Sequence, residues 1–335
     1  MTGHGVPTSR PQGSFSFYIS AYRSDLILPA SELADAVTIA GPKGPAAMRR
    51  VRGAGLESDV LFDGMGYAGK ELPPAAEWVR TQLESGATRT LLPGVFLPWD
   101  KDDETSVSDV VAAQAALGED IGSTMLLALD SRWLAKRSDL LMDVLRRASA
   151  PAALVLAHRA DPLAAGGAVQ AVRQLARSIP GLMLLRSDHG SIGALAFGAQ
   201  HASVGLTTST RHFTTAEMKA RRLPGGSSRV FVRGLLDWFR AGEIAGWTAA
   251  GSETRCHLSC CRGADLGRFL DPDLDATWHN MCAIADFADF VLNADPEDRA
   301  AEFLAECRRT ASLYGLAGFN GPESPKSQLT GWALS

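Results

Sequence analysis

Short apolar runs alternate with helix-forming segments along most of this chain, and this alternation restricts its fold more than any other feature. Runs of this kind are typical of strands that are buried on both faces of a parallel sheet. They lie at residues 37–40, 60–62, 91–96, 125–129, 154–157, 182–185, 203–206 and 230–232. Helices are predicted between them at residues 75–85, 107–117, 137–148 and 168–178. Because alternating strands and helices favour a parallel sheet, and eight units favour closure, we predict an α/β chain with a (β/α)8 TIM-type barrel.

The run at residues 91–96 is the weakest of the eight strands. It contains Pro93 and is followed by Pro98, and proline cannot donate a hydrogen bond to a central ladder. An earlier extended run at residues 15–21 could replace it or cover one end of the barrel. After residue 232 the pattern changes to helices at 235–244, 278–292 and 296–314. We therefore expect a flexible tail over 1–14, the barrel over 15–245, and a zinc-binding segment with packed C-terminal helices over 246–330.

The bulk composition is that of a globular protein. The chain has 335 residues, of which 46% are hydrophobic, so it can bury a large core. The first residues are polar and rich in proline and glycine, and no apolar run approaches the roughly 18 residues that span a bilayer. We therefore expect no signal peptide, no membrane partner and a cytoplasmic location.

Charge is unevenly distributed along the chain. The formal net charge of -4 gives no general attraction to nucleic acid, whose binding depends on cationic contacts to phosphate. The stretch 210–240 is nevertheless locally basic, because its cations outnumber Glu217 and Asp237. These cations are Arg211, Lys219, Arg221, Arg222, Arg229, Arg233 and Arg240. The stretch is either a solvated surface or a phosphate-binding face.

Polar residues follow several of the apolar runs, at the predicted strand ends where the active site of a barrel is assembled. A carboxylate there can act as a general acid or base, as a nucleophile or as a ligand acceptor, although Asp is also a common helix N-cap. Three such aspartates at one end of the barrel predict a functional site. The candidate site residues are Asp63, Asp130, Asp188, Gly64, Gly66, His158, His189, Gly190 and Arg211.

The glycines and the basic loop have separate physical reasons. Gly64 and Gly66 permit a tight turn and the close approach of a ligand. Gly190 begins a helix, where free backbone N–H groups can bind an anion or a carbonyl oxygen. Arg211 follows the hydroxyl-rich residues 207–210, which suits contacts to sugar or phosphate.

Three of the five cysteines are concentrated at Cys256, Cys260 and Cys261. Such a cluster in a large protein of a reducing compartment favours metal ligation over disulfides. With His279 at the start of a following helix, it would form a closed tetrahedral zinc site. Adjacent cysteines do not easily reach one metal, so His257 is an alternative ligand that would leave Cys260 as a free thiol.

Two segments resemble the tRNA-guanine transglycosylases and their DNA-modifying relatives, which exchange a purine for a 7-deazaguanine. Residues 114–121, QAALGEDI, lead to Leu129-Asp130 and are similar to the family's QNALGADI and the FDEC that follows it. Residues 61–67, LFDGMGY, are similar to LTDSGGF. The resemblance implies that Asp130 contacts the inserted base and that Asp63 acts as a base or proton shuttle.

The zinc motif of the family, CxCxxC followed by His-Asn-Leu, is similar to the cysteine segment and its histidine. Cys256 and Cys261 have the outer spacing and His279 is followed by Asn-Met, but Leu258 occupies the middle position. Cys260 is the candidate substitute for the missing cysteine.

The chain departs from the family at the nucleophile, which the family carries in FDCVMPTR. Alignment of Thr210-Arg211 with the end of that motif puts Gly205 at the nucleophilic aspartate. Either Asp188, one strand earlier, takes the role, or exchange chemistry has been lost.

Three hypotheses follow. The first is a zinc-containing transferase that exchanges or cleaves a purine or 7-deazaguanine base on tRNA or DNA, and it leaves open a homo- or heterodimer. The second is a catalytically silent homologue that binds nucleic acid or a partner subunit. The third is a small-molecule nucleoside hydrolase.

Overall fold

Strands and helices alternate along the first two thirds of the chain and helices dominate the remainder. The computed structural model describes residues 13–53, 55–56, 58–100, 104–148, 150–218, 228–316 and 320–334. The strands are β1 (Ser14–Ser20), β2 (Ala36–Ala40), β3 (Asp59–Asp63), β4 (Val95–Leu97), β5 (Met125–Asp130), β6 (Ala152–Ala157), β7 (Met183–Ser187), β8 (His201–Gly205), β9 (Arg229–Val232) and β10 (Asp237–Arg240). The helices are α1 (Ile27–Ser31), α2 (Gly44–Arg52), α3 (Ala75–Glu84), α4 (Glu104–Ile121), α5 (Arg132–Lys136), α6 (Ser138–Ala148), α7 (Ala168–Ser178), α8 (Gly190–Ala196), α9 (Ala241–Ala249), α10 (Thr277–Leu292), α11 (Arg299–Ala311) and α12 (Ser327–Ala333).

Strands β1 to β8 form one parallel sheet in the order β3-β2-β1-β8-β7-β6-β5-β4. This is the cyclic order of a (β/α)8 barrel that is opened between β3 and β4, so the predicted TIM-type fold class is confirmed. Loop contacts close the seam, where the backbone N–H of Gly66 donates to the carbonyl oxygen of Pro93 at 2.9 Å. Strand β4 is short and lies at the sheet edge, as its neighbouring prolines predict.

One predicted barrel strand lies outside the sheet, and the run at residues 15–21 takes its place. That run forms β1, which pairs with β2 and β8 and places Phe17 opposite Val37 and Val204. The predicted barrel strand at 230–232 is wrong, because β9 instead pairs antiparallel with β10. Leu236 adopts a left-handed conformation, with φ of 47°, in the turn between them. The helix predicted at 235–244 therefore begins only at Ala241.

Apolar side chains fill both the barrel interior and the layer between sheet and helices. Inside the barrel, residues such as Leu61, Val155 and Leu185 are fully buried. Phe213 closes the end at which the strands finish: its N–H donates to Leu156 and its carbonyl accepts from His158, both at 3.0 Å. The chain after β8 therefore folds back over the barrel mouth and limits what can enter it.

The C-terminal helices pack against the outside of the barrel. Helix α10 contacts β9, and α12 contacts both α7 and α11. Trp332 of α12 is buried and stacks on Phe197 with ring centroids 5.9 Å apart. None of the helices in the described ranges has the length and apolar character needed to cross a membrane.

Candidate active site and metal centre

The three predicted aspartates lie at the same end of the barrel. Asp63 and Asp130 are the last residues of β3 and β5, and Asp188 directly follows β7. Because the strands are parallel, these carboxyl ends share one face, which is where barrel enzymes place their chemistry. The surroundings of the three carboxylates are nevertheless different.

Asp63 is enclosed in a hydrogen-bond network inside the barrel mouth. Its Oδ2 accepts from the hydroxyls of Tyr18 at 2.5 Å and Tyr67 at 2.7 Å, and its Oδ1 accepts from the N–H of Met65 at 2.8 Å. Arg186 donates to the Tyr67 hydroxyl at 3.2 Å. Burial, reinforced by the Asp63 charge, raises the pKa of both tyrosines, so they remain donors. Asp63 is fully buried and is held as an acceptor rather than presented to solvent.

Asp130 is occupied by a neighbouring cation. The Arg132 side chain donates through Nε to Oδ1 at 2.9 Å and through Nη2 to Oδ2 at 2.7 Å, and its backbone N–H reaches Oδ1 at 3.0 Å. The Arg132 side chain is about half exposed, so it can turn away into solvent. Movement of Arg132 would remove the paired cation and expose both carboxylate oxygens to a base, whereas in the present arrangement Oδ2 has one donor and Oδ1 has two.

Asp188 lines a cavity of about 340 Å³ at the ends of β6, β7 and β8. Its Oδ1 accepts from the backbone N–H of His189 at 2.6 Å, from the His189 ring at 2.7 Å and from the indole N–H of Trp238 at 2.7 Å. Oδ2 accepts no hydrogen bond from the described residues, and Nη1 of Arg211 lies 3.8 Å from it. One oxygen is therefore fixed while the other is available for a ligand.

The charges around Asp188 keep it ionised. Burial alone would raise the pKa of its carboxyl, but the His189 and Arg211 cations hold that pKa far below its ordinary value. Burial alone would likewise lower the pKa of His189, but the Asp188 charge raises it. Each of the two side chains therefore favours the charged form of the other.

Two further carboxyl groups in the cavity have the opposite tendency. Burial raises the pKa of Asp161, and the nearby charge of Asp188 raises it further. Burial also raises the pKa of Asp237, although Lys326 donates to it at 2.6 Å and partly offsets that shift. The cavity thus combines a carboxylate that stays ionised with carboxyl groups that protonate more readily, which is the requirement for acid and base roles in one site.

Arg211 is positioned by the loop after β8. Its guanidinium lies 4.0 Å from the centre of the Trp238 ring and donates to the Thr208 hydroxyl at 2.9 Å. His189 is buried in the same cavity, whereas His158 is half-buried and accepts from the N–H of Ala160 at 3.1 Å. Arg211 and His189 therefore join Asp188, and His158 lies at the neighbouring strand end.

The predicted glycines make close contacts with the chain itself. A Cβ on Gly64 would lie 2.6 Å from Leu72, and one on Gly66 would lie 2.6 Å from the carbonyl oxygen of Pro93. At Gly190 the helix amides that follow are already used, because the N–H of Ser191 donates to the Asp188 carbonyl at 3.0 Å. These glycines serve packing and turns in this structure.

Gly205, at the aligned nucleophile position, has no room for a side chain. A Cβ there would lie 2.2 Å from the carbonyl carbon and oxygen of Thr210 and 2.6 Å from the nitrogen of Arg211. An aspartate at 205 is therefore incompatible with the fold of the loop at residues 207–211.

The basic stretch does not form a single face. Arg211 is buried in the cavity, Arg229 is exposed at its rim, and Arg240 is exposed. Arg233 instead forms ion pairs with Asp286 and Glu306, both at 2.8 Å. Lys219, Arg221 and Arg222 lie outside the described residues.

The four predicted metal ligands converge. Ligand atoms of Cys256, Cys260, Cys261 and His279 all lie within 4.8 Å of one another. The sulfur of Cys261 is 3.7 Å from that of Cys260 and 3.3 Å from Nδ1 of His279. Sulfur ligands about 2.3 Å from a tetrahedral ion are about 3.8 Å apart, so these spacings fit a single ion. His257 is exposed and outside the cluster.

The surroundings of the cluster also fit a metal. Nε2 of His279 lies 3.0 Å from the carbonyl oxygen of Phe231, so donation from Nε2 leaves Nδ1 as a lone-pair ligand. Burial raises the pKa of the Cys256 thiol to about 11, so a bound cation would be needed to keep it as a thiolate. The chain therefore has a buried Cys3His cluster that could hold a metal ion.

Several residues of the site gave little signal in the sequence. Tyr18 and Arg186 lie within strands, where their polar atoms are placed only by closure of the barrel. Asp161 lies four residues after the end of β6, so its signal is its position in the loop beyond that strand end. Lys326 and Gln328 come from the far C-terminal end, where no local pattern marked them.

Comparisons with known proteins do not place the chain in a family. No family model and no curated protein matches it. Among solved structures it is similar to a 3-hexulose-6-phosphate synthase, with 15% identity and a TM-score of 0.37 over 57% of this chain and 89% of that one. It is also similar to a 3-keto-L-gulonate-6-phosphate decarboxylase from Vibrio cholerae, with 12% identity and a TM-score of 0.35 over 57% and 88%. A third is the 3-dehydroquinate dehydratase from Aquifex aeolicus, with 12% identity and a TM-score of 0.36 over 59% and 93%. Likeness this weak carries no argument about function.

Proposed function

We propose that the cavity beside Asp188 is the active site of a glycosyl-transferring enzyme that cleaves or exchanges a base. The substrate class that the sequence resemblance favours is a purine or 7-deazaguanine base on tRNA or DNA. The observation that carries the proposal is the asymmetric setting of the Asp188 carboxylate, with three N–H donors on Oδ1 and no hydrogen bond from the described residues on Oδ2. A nucleophilic carboxylate requires this combination of fixed orientation and one available oxygen.

The chemistry would proceed in two displacements. Oδ2 of Asp188 forms a bond to the anomeric carbon while the bond from that carbon to the base nitrogen breaks. The base nitrogen keeps the electron pair and takes a proton from Asp161, whose pKa is raised by burial and by the charge of Asp188, as suits a general acid. An incoming base or a water molecule then forms a bond to the anomeric carbon as the bond to Oδ2 of Asp188 breaks, and this incoming group gives up a proton that restores the acid.

Asp63 and Asp130 have supporting roles in this proposal. Asp63 accepts from Tyr18 and Tyr67 and would hold those hydroxyls at the barrel mouth. Asp130 would contact the base once Arg132 has turned into solvent. The exposure of the Arg132 side chain supports that movement.

We further propose that the Cys3His cluster binds Zn²⁺ with a structural role. Three thiolates and one imidazole at tetrahedral spacing are a typical closed zinc site, with no position left for a substrate. The ion would join the cysteine loop to α10 through His279, and through His279 to the carbonyl of Phe231 in β9. Its contribution would therefore be to the stability of the C-terminal part.

A labelling experiment tests the proposed activity. The protein is incubated with labelled guanine or a 7-deazaguanine in the presence of tRNA, DNA or free nucleosides, and both incorporation and base release are measured. We expect turnover with at least one pairing, its loss in Asp188→Asn, and its retention in Asp143→Asn, which changes an exposed carboxylate on α6. Absence of turnover in every pairing would contradict the proposal.

The crowding at Gly205 supports a second candidate, a catalytically silent homologue that binds nucleic acid or a partner subunit. An aspartate cannot occupy that position beside Thr210 and Arg211, so the covalent step of the similar family has no nucleophile there. This candidate predicts binding of RNA or DNA that weakens steeply with salt, without any base release.

A further inference from the structure

Three buried polar atoms of the Asp188 cavity have no hydrogen-bond partner among the described residues. They are Nε of Arg211, Oδ2 of Asp237 and Oε1 of Gln328. The three residues are 6%, 5% and 2% exposed, and all three line the same cavity. Because buried polar groups are nearly always paired, three unpaired atoms around one cavity indicate that a ligand completes them.

The C-terminal segment builds one wall of this cavity. Nζ of Lys326 donates to Oδ1 of Asp237 at 2.6 Å and to the carbonyl oxygen of Trp238 at 2.8 Å. Nε2 of Gln328 donates to Oδ1 of Asp161 at 3.1 Å. These bonds fix Asp237 and Gln328 and leave the second oxygen of Asp237 and the amide oxygen of Gln328 for the ligand.

The unpaired atoms define the chemistry of that ligand. Two of them are oxygens that need donors, with Asp237 in its ionised form, and Nε of Arg211 needs an acceptor. Neighbouring hydroxyl groups meet all three needs, because each hydroxyl both donates and accepts. A protonated amine could donate to the oxygens but could not accept from Arg211. The inner part of the cavity therefore suits a polyhydroxylated ring.

The rim of the cavity adds a charge preference. Arg159 and Arg229 line the cavity and are exposed, and neither has a carboxylate within ion-pair distance among the residues described. The charge of Arg229 acts on the buried Arg211 guanidinium, so the two lie close together. Two unneutralised guanidinium groups at a cavity mouth suit a phosphate.

We infer that the cavity binds a phosphorylated sugar, with its hydroxyls at Arg211, Asp237 and Gln328 and its phosphate at the arginines of the rim. The inference rests on the proposed function for the identity of the site, but it concerns binding alone. The sugar phosphate could come from a free metabolite or from a nucleotide unit of RNA or DNA. A cavity of about 340 Å³ has room for one such unit.

Calorimetric titration of the unaltered protein tests this directly. The probes are ribose 5-phosphate, ribose, inorganic phosphate and a short oligonucleotide. We expect ribose 5-phosphate to bind more tightly than either ribose or phosphate, and the oligonucleotide to compete with it if the natural source is a polymer. Free sugar phosphate is the source if the oligonucleotide does not compete. Equal affinity for phosphate and ribose 5-phosphate, or no binding of ribose 5-phosphate at millimolar concentration, would overturn the inference.

Two substitutions separate the subsites. Gln328→Met removes the amide oxygen at similar volume and should weaken ribose and ribose 5-phosphate by about tenfold each. Arg229→Ala should weaken ribose 5-phosphate but leave ribose unchanged. The matched control is Gln170→Met on the exposed face of α7, which should change neither affinity. Equal affinity of Gln328→Met and unaltered protein for ribose would also overturn the inference.

Failure of this inference and failure of the proposed function give different results. Binding of ribose 5-phosphate without any base release would refute the proposed chemistry but would support the sugar-phosphate site. Base release without measurable ribose 5-phosphate binding would refute the sugar-phosphate site but would support the proposed base-release chemistry.

Discussion

Gly205→Ala should destabilise the protein strongly, because the loop after β8 occupies the space of a side chain. The new Cβ would lie 2.2 Å from the carbonyl group of Thr210, so the loop must move by more than an ångström to restore van der Waals contact. That movement would break the bonds that the N–H groups of Thr210 and Arg211 donate to the Thr207 carbonyl, at 2.9 and 3.1 Å. Two lost hydrogen bonds at about 1 kcal/mol each, with overpacking of about 1–3 kcal/mol, give a loss of about 3–5 kcal/mol.

Urea denaturation followed by circular dichroism measures this loss. The control is Gly246→Ala within α9, where a Cβ meets nothing within 4 Å and alanine should stabilise the helix by about 0.5–1 kcal/mol. Gly205→Asp should be at least as destabilising as Gly205→Ala, because the larger side chain meets the same atoms of Thr210 and Arg211. A Gly205→Ala protein within about 0.5 kcal/mol of the original would refute the reasoning.

Three further outcomes are expected. Cys261→Ser should lose the bound metal and lower the melting temperature. The control Cys307→Ser, at a buried position on α11, should retain about one ion per chain by elemental analysis. Equal metal content in the two variants would contradict the assignment of Cys261 as a metal ligand. Burial lowers the pKa of His201 to about 3, so between about pH 6.5 and pH 3 the unfolded chain binds a proton at this histidine and the folded chain does not. The free energy of unfolding should therefore fall by about 1.4 kcal/mol for each pH unit across that range. Urea titrations across that window should show this slope and its loss in His201→Gln. Arg132→Ala should remove the two side-chain donors from Asp130, leaving only the backbone N–H of residue 132 on Oδ1, and should tighten binding of free guanine in a calorimetric titration. An unchanged affinity would separate Asp130 from base recognition.

The regular elements could largely be predicted because their apolar pattern is local. Helix α7 begins and ends at the predicted residues, since Val169, Val172 and Leu175 lie on one buried face. The prediction for the run at 230–232 is wrong because an apolar run has the same appearance in a parallel barrel and in an antiparallel hairpin. Only the pairing of β9 with β10 across the left-handed Leu236 distinguishes the two.

The candidate site was only partly predictable for a related reason. Asp188 has a local signal, since it follows an apolar strand. Lys326 lies 89 residues from Asp237 and reaches it only because α12 packs on α7 and α11. The adjacent Cys260 and Cys261 converge on one point through a turn in which Arg262 has a φ of 51°, a conformation that spacing alone did not indicate.

The placement of the chemistry at Asp188 is tested most directly by single-turnover base release from a substrate identified in the labelling experiment. The rate is compared for the unaltered protein, Asp188→Asn and the exposed-site control Asp143→Asn. We predict that Asp188→Asn slows release by at least about a thousandfold while the control is unaffected. Release by Asp188→Asn within about tenfold of the unaltered rate would contradict the account and assign the chemistry to another group.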